Sequence, residues 1–309
     1  MNLPGLLLFC AGALLGTAAP TPVLVDTDIG TDVDDAYVLA LLMRCPELDV
    51  LGVTTVSGDA PKRAQLAAKF LALGGGRWRE VPVVAGISGI AQPQEQCDWA
   101  AGFTAANLRA EGGVEFLREQ INRRPGEINV VALGELTNIA ALLASEPGLA
   151  AKIRRIVLMG GALRRGYAEG SAPEPEWNIR CNIAAARAVF ASGVPITMVP
   201  LDATITLKLD GAKRLPITQS GRPETDALAA LTAIWTQTNP WHWPDPILYD
   251  ALPIALLCDP ALVRTEPMRI EITDSGLTRA VAGPPNTDVV PSSNAEAFFR
   301  FFLTRLAGR

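Results

Sequence analysis

Histidine is almost absent: the 309 residues include one, His242, so little imidazole is available for metal ligation or proton transfer. No basic tract occurs and the formal net charge is −5. That balance argues against a nucleic-acid backbone or an anionic membrane surface as partner and in favour of a small molecule. The five cysteines lack the spacing of a zinc site. Nothing charged precedes Asp26, and the apolar run at residues 5–19 ends in small residues. The run has signal-peptide length and falls short of the ~20 residues of a membrane-spanning helix, although the basic residue usual in front of such a run is missing. Residues 1–19 are therefore expected to be a signal peptide and the product secreted or periplasmic, with no stable membrane insertion. Cys10 follows the large Phe9, whereas a lipid-attachment cysteine normally follows a small residue. Cleavage leaves Cys45, Cys97, Cys181 and Cys258, whose pairing the spacing leaves open. Cys45 and Cys258 read best as buried thiols among apolar helical neighbours.

What the chain does have is apolar bulk: 49% of its residues are hydrophobic, enough for one large core. From Pro22 onward, short β-rich runs alternate with helical patterns. Candidate strands are 23–26, 50–56, 81–85, 128–132, 155–159 and 196–200. Helices are expected near 34–44, 62–73, 113–122, 138–145, 183–191, 224–238, 250–257 and 294–307. This βαβαβ order predicts a single α/β domain over residues 20–309, with a largely parallel, Rossmann-like sheet covered by helices on both faces. Ligands of such sheets bind beyond the carboxyl ends of the strands, and the long segments 86–111 and 160–177 have the length of functional loops.

The first strand runs into D26-T-D28-I-G30-T-D32-V-D34-D35, five carboxylates in ten residues. Such crowding is unfavourable without a cation, and oxygen ligands with no nearby Cys or His favour Ca²⁺ or Mg²⁺. A solvated acidic helix start explains Asp34 and Asp35 but leaves Asp26 and Asp28 unexplained. An EF-hand loop starting at Asp26 fails because its twelfth position is Tyr37. An Asp-x-Asp phosphatase also opens this way, but expects Thr or Val where Gly30 stands.

The same segment resembles the opening Asp-x-Asp-Pro-Gly-x-Asp-Asp-Ala of the inosine-uridine-preferring nucleoside hydrolase family, with two extra residues before the double Asp. The resemblance continues in order through T54-T-V-S-G-D59, A132-L-G-E-L-T137-N138, M159-G-G161, E176-W-N178 and Y249-D250, over about residues 22–307. It implies the nucleoside hydrolase fold, one Ca²⁺ held by Asp28, Asp35, the backbone carbonyl of Thr137 and Asp250, and Asp28 as the base for the attacking water. Asp34, Glu176 and Asn178 would bind the ribose, Met159 would floor its pocket, and Asp59 stands where the family has a substrate-side Asn. The implied ligand is a small-molecule nucleoside or N-riboside, and the implied assembly is a homo-oligomer, dimer or tetramer. Carboxylates around such a site suit a transition state with positive charge on the sugar. One departure bears on chemistry. Tyr249-Asp250 replaces the family's His-Asp, so the imidazole acid is lost, and an ordinary tyrosine, near pKa 10, is the weaker proton donor. His242, flanked by Trp241 and Trp243, is the candidate to reach the leaving base, with a tryptophan stacking on it. A non-catalytic calcium and ribose binder stays open as the rival reading.

Overall fold

In the computed structural model, residues 19–168, 170–239 and 242–308 are described; the expected signal segment, Glu169 and Trp241 lie outside them, apart from Ala19. Ten strands form one sheet: β1 (Thr21–Thr27), β2 (Leu48–Thr55), β3 (Val83–Ala85), β4 (Leu108–Arg109), β5 (Asn129–Ala132), β6 (Arg155–Met159), β7 (Ile196–Val199), β8 (Glu266–Ile272), β9 (Thr278–Val281) and β10 (Thr287–Val289). Their spatial order is β4-β3-β2-β1-β5-β6-β7-β10-β8-β9. Strands β1 to β7 pair in parallel, and β10 adds to β7 in parallel. Only β8 runs antiparallel, to both β10 and β9.

Eleven α-helices surround the sheet among the described residues: α1 (Asp34–Leu42), α2 (Ala60–Ala72), α3 (Gly113–Arg123), α4 (Thr137–Ser145), α5 (Trp177–Cys181), α6 (Ile183–Phe190), α7 (Leu201–Thr204), α8 (Gly211–Thr218), α9 (Pro223–Thr238), α10 (Ala251–Cys258) and α11 (Ala295–Ala307). The central strands are apolar on both sides because both faces are covered. Val23 and Val25 of β1 point into a core shared with α1, α2, α9, α10 and α11, while Leu24 points into a second core with α3, α4 and α6. Every residue of α1 is buried, so this helix shows no polar face.

Chain order reverses beside β1, which has β2 on one side and β5 on the other. That reversal opens a crevice at the carboxyl ends of the two strands. The six expected strands and eight expected helices are all present, with ends shifted by up to two residues. The missed elements are β4, the short helices α5, α7 and α8, and the closing strands β8 to β10.

Candidate functional site

A cavity of about 340 Å³ occupies this crevice, lined by Asp28, Asp32, Asp34, Asp35, Glu176, Asp250 and the aromatic side chains of Tyr167, Trp177, Trp243 and Tyr249, among others. A larger open groove of about 770 Å³, between α6 and strands β8 and β10, lies elsewhere and gathers no such set of carboxylates.

The acidic turn is built from beneath. Gly30 adopts φ +116°, and a Cβ there would come within 2.7 Å of the Cys97 sulfur, so the turn between Asp28 and Asp34 requires glycine. Gly134, in the loop after β5, passes so close that a Cβ would lie 3.0 Å from Cβ of Asp28. Arg63 of α2 is fully buried below the turn. Its guanidinium donates to the backbone oxygens of Asp28, Ile29 (2.8 Å) and Ser57 (3.1 Å), to Oγ1 of Thr31 (3.0 Å) and to Oε1 of Gln92 (3.2 Å). Asp26 does not face the cavity. It accepts from Thr54 Oγ1 (2.6 Å) and Asn138 Nδ2 (2.7 Å), tying β1 to β2 and α4, and burial pushes its carboxyl up to about 7.

Asp34, Asp35 and Asp250 are buried and present carboxylate oxygens within 4.8 Å of one another, a set that could hold a metal ion. Oδ2 of Asp34 accepts from the backbone N–H of Asp250 (3.0 Å), and Asp35 accepts from Thr27 Oγ1. Burial first, then repulsion from neighbouring carboxylates including Asp28 and Asp32, lifts all three carboxyls well above their usual range. Asp28 lines the same cavity and is the strongest repulsive neighbour of Asp35. Its own carboxyl is raised by burial, and the Arg63 charge opposes that rise. So many buried carboxyls at one point repel one another, and a bound cation would neutralise them. The donor set is all oxygen and fits a hard cation.

The sugar-side candidates also converge. Glu176 caps α5, accepting from the backbone N–H groups of Asn178 (3.0 Å), Ile179 (3.3 Å) and Gly161 (2.9 Å). Asn178 donates to the backbone oxygens of Leu133 (2.7 Å) and Met159 (3.2 Å), which locks the ends of β5 and β6 to the first turn of α5. Met159 lines the cavity floor. Tyr249 is buried, packs edge-on to Tyr167 at 6.4 Å, and its hydroxyl has no hydrogen-bond partner among the described residues. Burial, then the nearby charge of Asp32, raises the Tyr249 phenol well above 10, which keeps it protonated as a donor.

Three expected residues stand elsewhere. Thr137 opens α4 with its hydroxyl engaged by Glu135 (2.8 Å) and Asn182 (2.9 Å), and Leu133, four residues earlier, is the residue of that loop that lines the cavity. The Asp59 carboxylate caps α2 by accepting from Lys62 N–H (3.1 Å) and does not line the cavity. His242 is exposed in a left-handed backbone conformation, φ +55°, and Trp243 reaches the cavity in its place. Sequence reasoning missed Arg63, although its spacing from Ala60, Ala64, Ala67 and Leu71 puts it on the buried face of α2. It also missed Asp202, whose carboxylate accepts from Leu163 N–H and Arg164 N–H (both 2.8 Å) and anchors the loop carrying Tyr167.

Fold and cavity together define a doubly wound α/β protein with a polyanionic pocket at the switch point, suited to a hard cation and a hydroxyl-rich ligand. The sequence profile described as "Inosine-uridine preferring nucleoside hydrolase" matches residues 23–300. The pyrimidine-specific ribonucleoside hydrolase RihA of Klebsiella pneumoniae subsp. pneumoniae is 30% identical over 319 residues, covering 93% of this chain and 98% of its own. Among solved structures, the plant nucleoside hydrolase PpNRh1 superposes with TM-score 0.80 at 24% identity, covering 94% of this chain and 100% of its own. The purine-preferring ribonucleoside hydrolase from Gardnerella vaginalis does so with TM-score 0.78 at 25% identity, covering 93% and 98%. The chain belongs to the inosine-uridine-preferring nucleoside hydrolase family, whose reaction is hydrolysis of the N-glycosidic bond of ribonucleosides.

Proposed function

We propose that this hydrolase is calcium-dependent and that the triad Asp34, Asp35 and Asp250, with Asp28 facing it, forms the calcium and ribose site. The observation that carries this reading is the convergence of the buried carboxylates of Asp34, Asp35 and Asp250, from the starts of two helices far apart in sequence, on one cavity at the switch point that Asp28 also lines. A bound Ca²⁺ would neutralise the cluster, grip vicinal sugar hydroxyls and make water more acidic. Asp28 takes the proton of the attacking water, and Arg63 behind it favours its ionised form. Glu176 and Asn178 face the sugar, and the ring of carboxylates stabilises positive charge growing on it. Tyr249 donates a hydrogen bond to the departing base from its free hydroxyl, while Tyr167 and Trp243 wall off water. The residue in the loop after β5 that faces the site is Leu133 rather than Thr137.

The named relatives differ in base preference, pyrimidine in one and purine in another, so uridine and inosine should be assayed side by side. Chelator-stripped enzyme should release no ribose from either, with activity returning on Ca²⁺ titration and one ion bound per chain. Stripped enzyme that keeps full turnover, or a Ca²⁺ site that survives Asp35→Asn together with Asp250→Asn, would overturn the assignment.

A further inference from the structure

We propose that Cys45 and Cys258 form a disulfide that pins the turn after α1 to the end of α10 once the chain meets a thiol–disulfide oxidant. Cys45 lies buried just beyond α1, and Cys258 is the last residue of α10, half-buried. Their sulfurs and a carboxylate oxygen of Glu47 lie within 4.8 Å of one another. Bond formation requires the sulfurs to close from this separation to ~2 Å.

The same three residues have the donor types of a soft-metal site, but the Glu47 carboxylate is already taken. Arg305 grips both of its oxygens, at 2.5 and 2.8 Å, and also donates to the Arg44 backbone oxygen at 2.8 Å. A guanidinium fixed beside the thiols repels a cation, and two sulfurs alone fall short of the four ligands of a structural zinc site. Two neighbouring thiols beside a fixed guanidinium are the starting material of a disulfide. The pair also differs in position from the other cysteines among the described residues: Cys97 packs under Gly30 and Cys181 ends α5.

The step balances as ordinary exchange. The thiolate of Cys258, the less covered of the two, attacks a disulfide reagent such as oxidised glutathione, forming a mixed disulfide and releasing one thiolate. Deprotonated Cys45 then attacks the Cys258 sulfur and expels the second thiolate. Two protein thiols lose two electrons and two protons, and the reagent is reduced to two thiols. The bond closes a loop of about 210 residues, the long-loop case in which restricting the unfolded chain counts most. It also joins the far ends of the two helices whose near ends carry Asp34, Asp35 and Asp250.

The full chain should be incubated with oxidised glutathione, unfolded, alkylated and weighed without reductant. The expected product is lighter by about 2 Da before alkylation, protects two thiols, and yields a linked peptide pair containing Cys45 and Cys258 that dithiothreitol separates. Reduction should lower the Tm of the wild type by several degrees and leave that of the Cys45→Ser/Cys258→Ser variant unmoved. Both thiols alkylated after oxidation, a stable bond from either cysteine to Cys97 or Cys181, or stoichiometric zinc protecting the pair would each overturn the proposal. The mass measurement is made on the wild type and stands even if the variant folds poorly.

Discussion

Replacing Arg63 by lysine tests whether the acidic turn is held in shape from outside the cavity. Arg63 never touches the cavity, yet its guanidinium ties together five acceptors from the turn and the segments flanking it. Lysine keeps the charge but has neither the fork nor the reach to satisfy all five. Each buried acceptor left without a donor costs about 1–3 kcal/mol, and readmitted water recovers part of that, so a net loss of about 3–5 kcal/mol is expected. Against a total stability of about 5–15 kcal/mol the variant should still fold, with its Tm lowered by about 5–8 °C. Losing an outer partner of a metal-binding group typically weakens metal affinity about 10–100-fold. Calcium titration by calorimetry, done well below the lowered Tm, should show that loss in Arg63→Lys, and kcat/KM at subsaturating calcium should fall in parallel. Folded Arg63→Lys with unchanged Ca²⁺ Kd and unchanged kcat/KM would refute the idea that the turn is positioned by this side chain.

Three further outcomes follow from the site. Asp26 and Asp32 hold their protons up to about 7 in the metal-free fold but only to about 3.8 when unfolded, so their contribution favours the fold at low pH and is lost as pH rises towards 7. Stripped protein should therefore melt lower at pH 7.5 than at pH 5, with added calcium raising Tm most at pH 7.5; a stripped Tm that climbs over this interval would contradict the shifts. Tyr249→Phe should cut kcat on uridine and inosine by about 10²-fold or more while sparing p-nitrophenyl riboside, whose leaving group needs little help, and His242→Ala should change neither; equal losses on both substrates in Tyr249→Phe would assign Tyr249 to packing. Asp202→Ala frees the Leu163 and Arg164 N–H groups and should raise KM through the Tyr167 loop with little change in Ca²⁺ Kd, so an unaltered KM would show the loop to be held by other contacts.

How much of the fold and the site is legible in the sequence depends on how local the signal is. The central strands can be read because both faces are buried, which leaves unbroken runs such as V23-L-V and I156-V-L-M. Strands β8 to β10 escape because they form the end of the sheet where antiparallel pairing sets in and burial is partial: β8 (EPMRIEI) is exposed at its start and again at Glu271. Strand β4 is two residues long and carries no period at all. Asp28, Asp34 and Asp35 stand out because a run of like charges directly after an apolar strand calls for a cation, and Asp250 stands out through the Y249-D250 resemblance. Thr137, whose backbone carbonyl is the expected ligand, Asp59 and His242 lie in motifs next to the cavity in sequence, yet none of them lines it. Which side chain of a loop faces inwards depends on backbone details, such as the capping role of Asp59 and the left-handed turn at His242.

The two residues inserted before Asp34 show why motif and geometry have to be weighed together. The insertion lengthens the turn, yet Asp34 and Asp35 still open α1 beside Asp250, because a fully buried helix cannot shift along its axis without unpacking nine residues. The turn carries Thr31 and Asp32, and both residues line the cavity. Arg63 and Gln96 take up the added backbone: Arg63 bonds Thr31 Oγ1, and the Gln96 amide donates to the backbone oxygens of Thr31 and Asp32, both at 3.1 Å. The insertion thus carries a further carboxylate to the cavity without displacing the triad. Its cost in repulsion falls on the same cluster that a cation would neutralise.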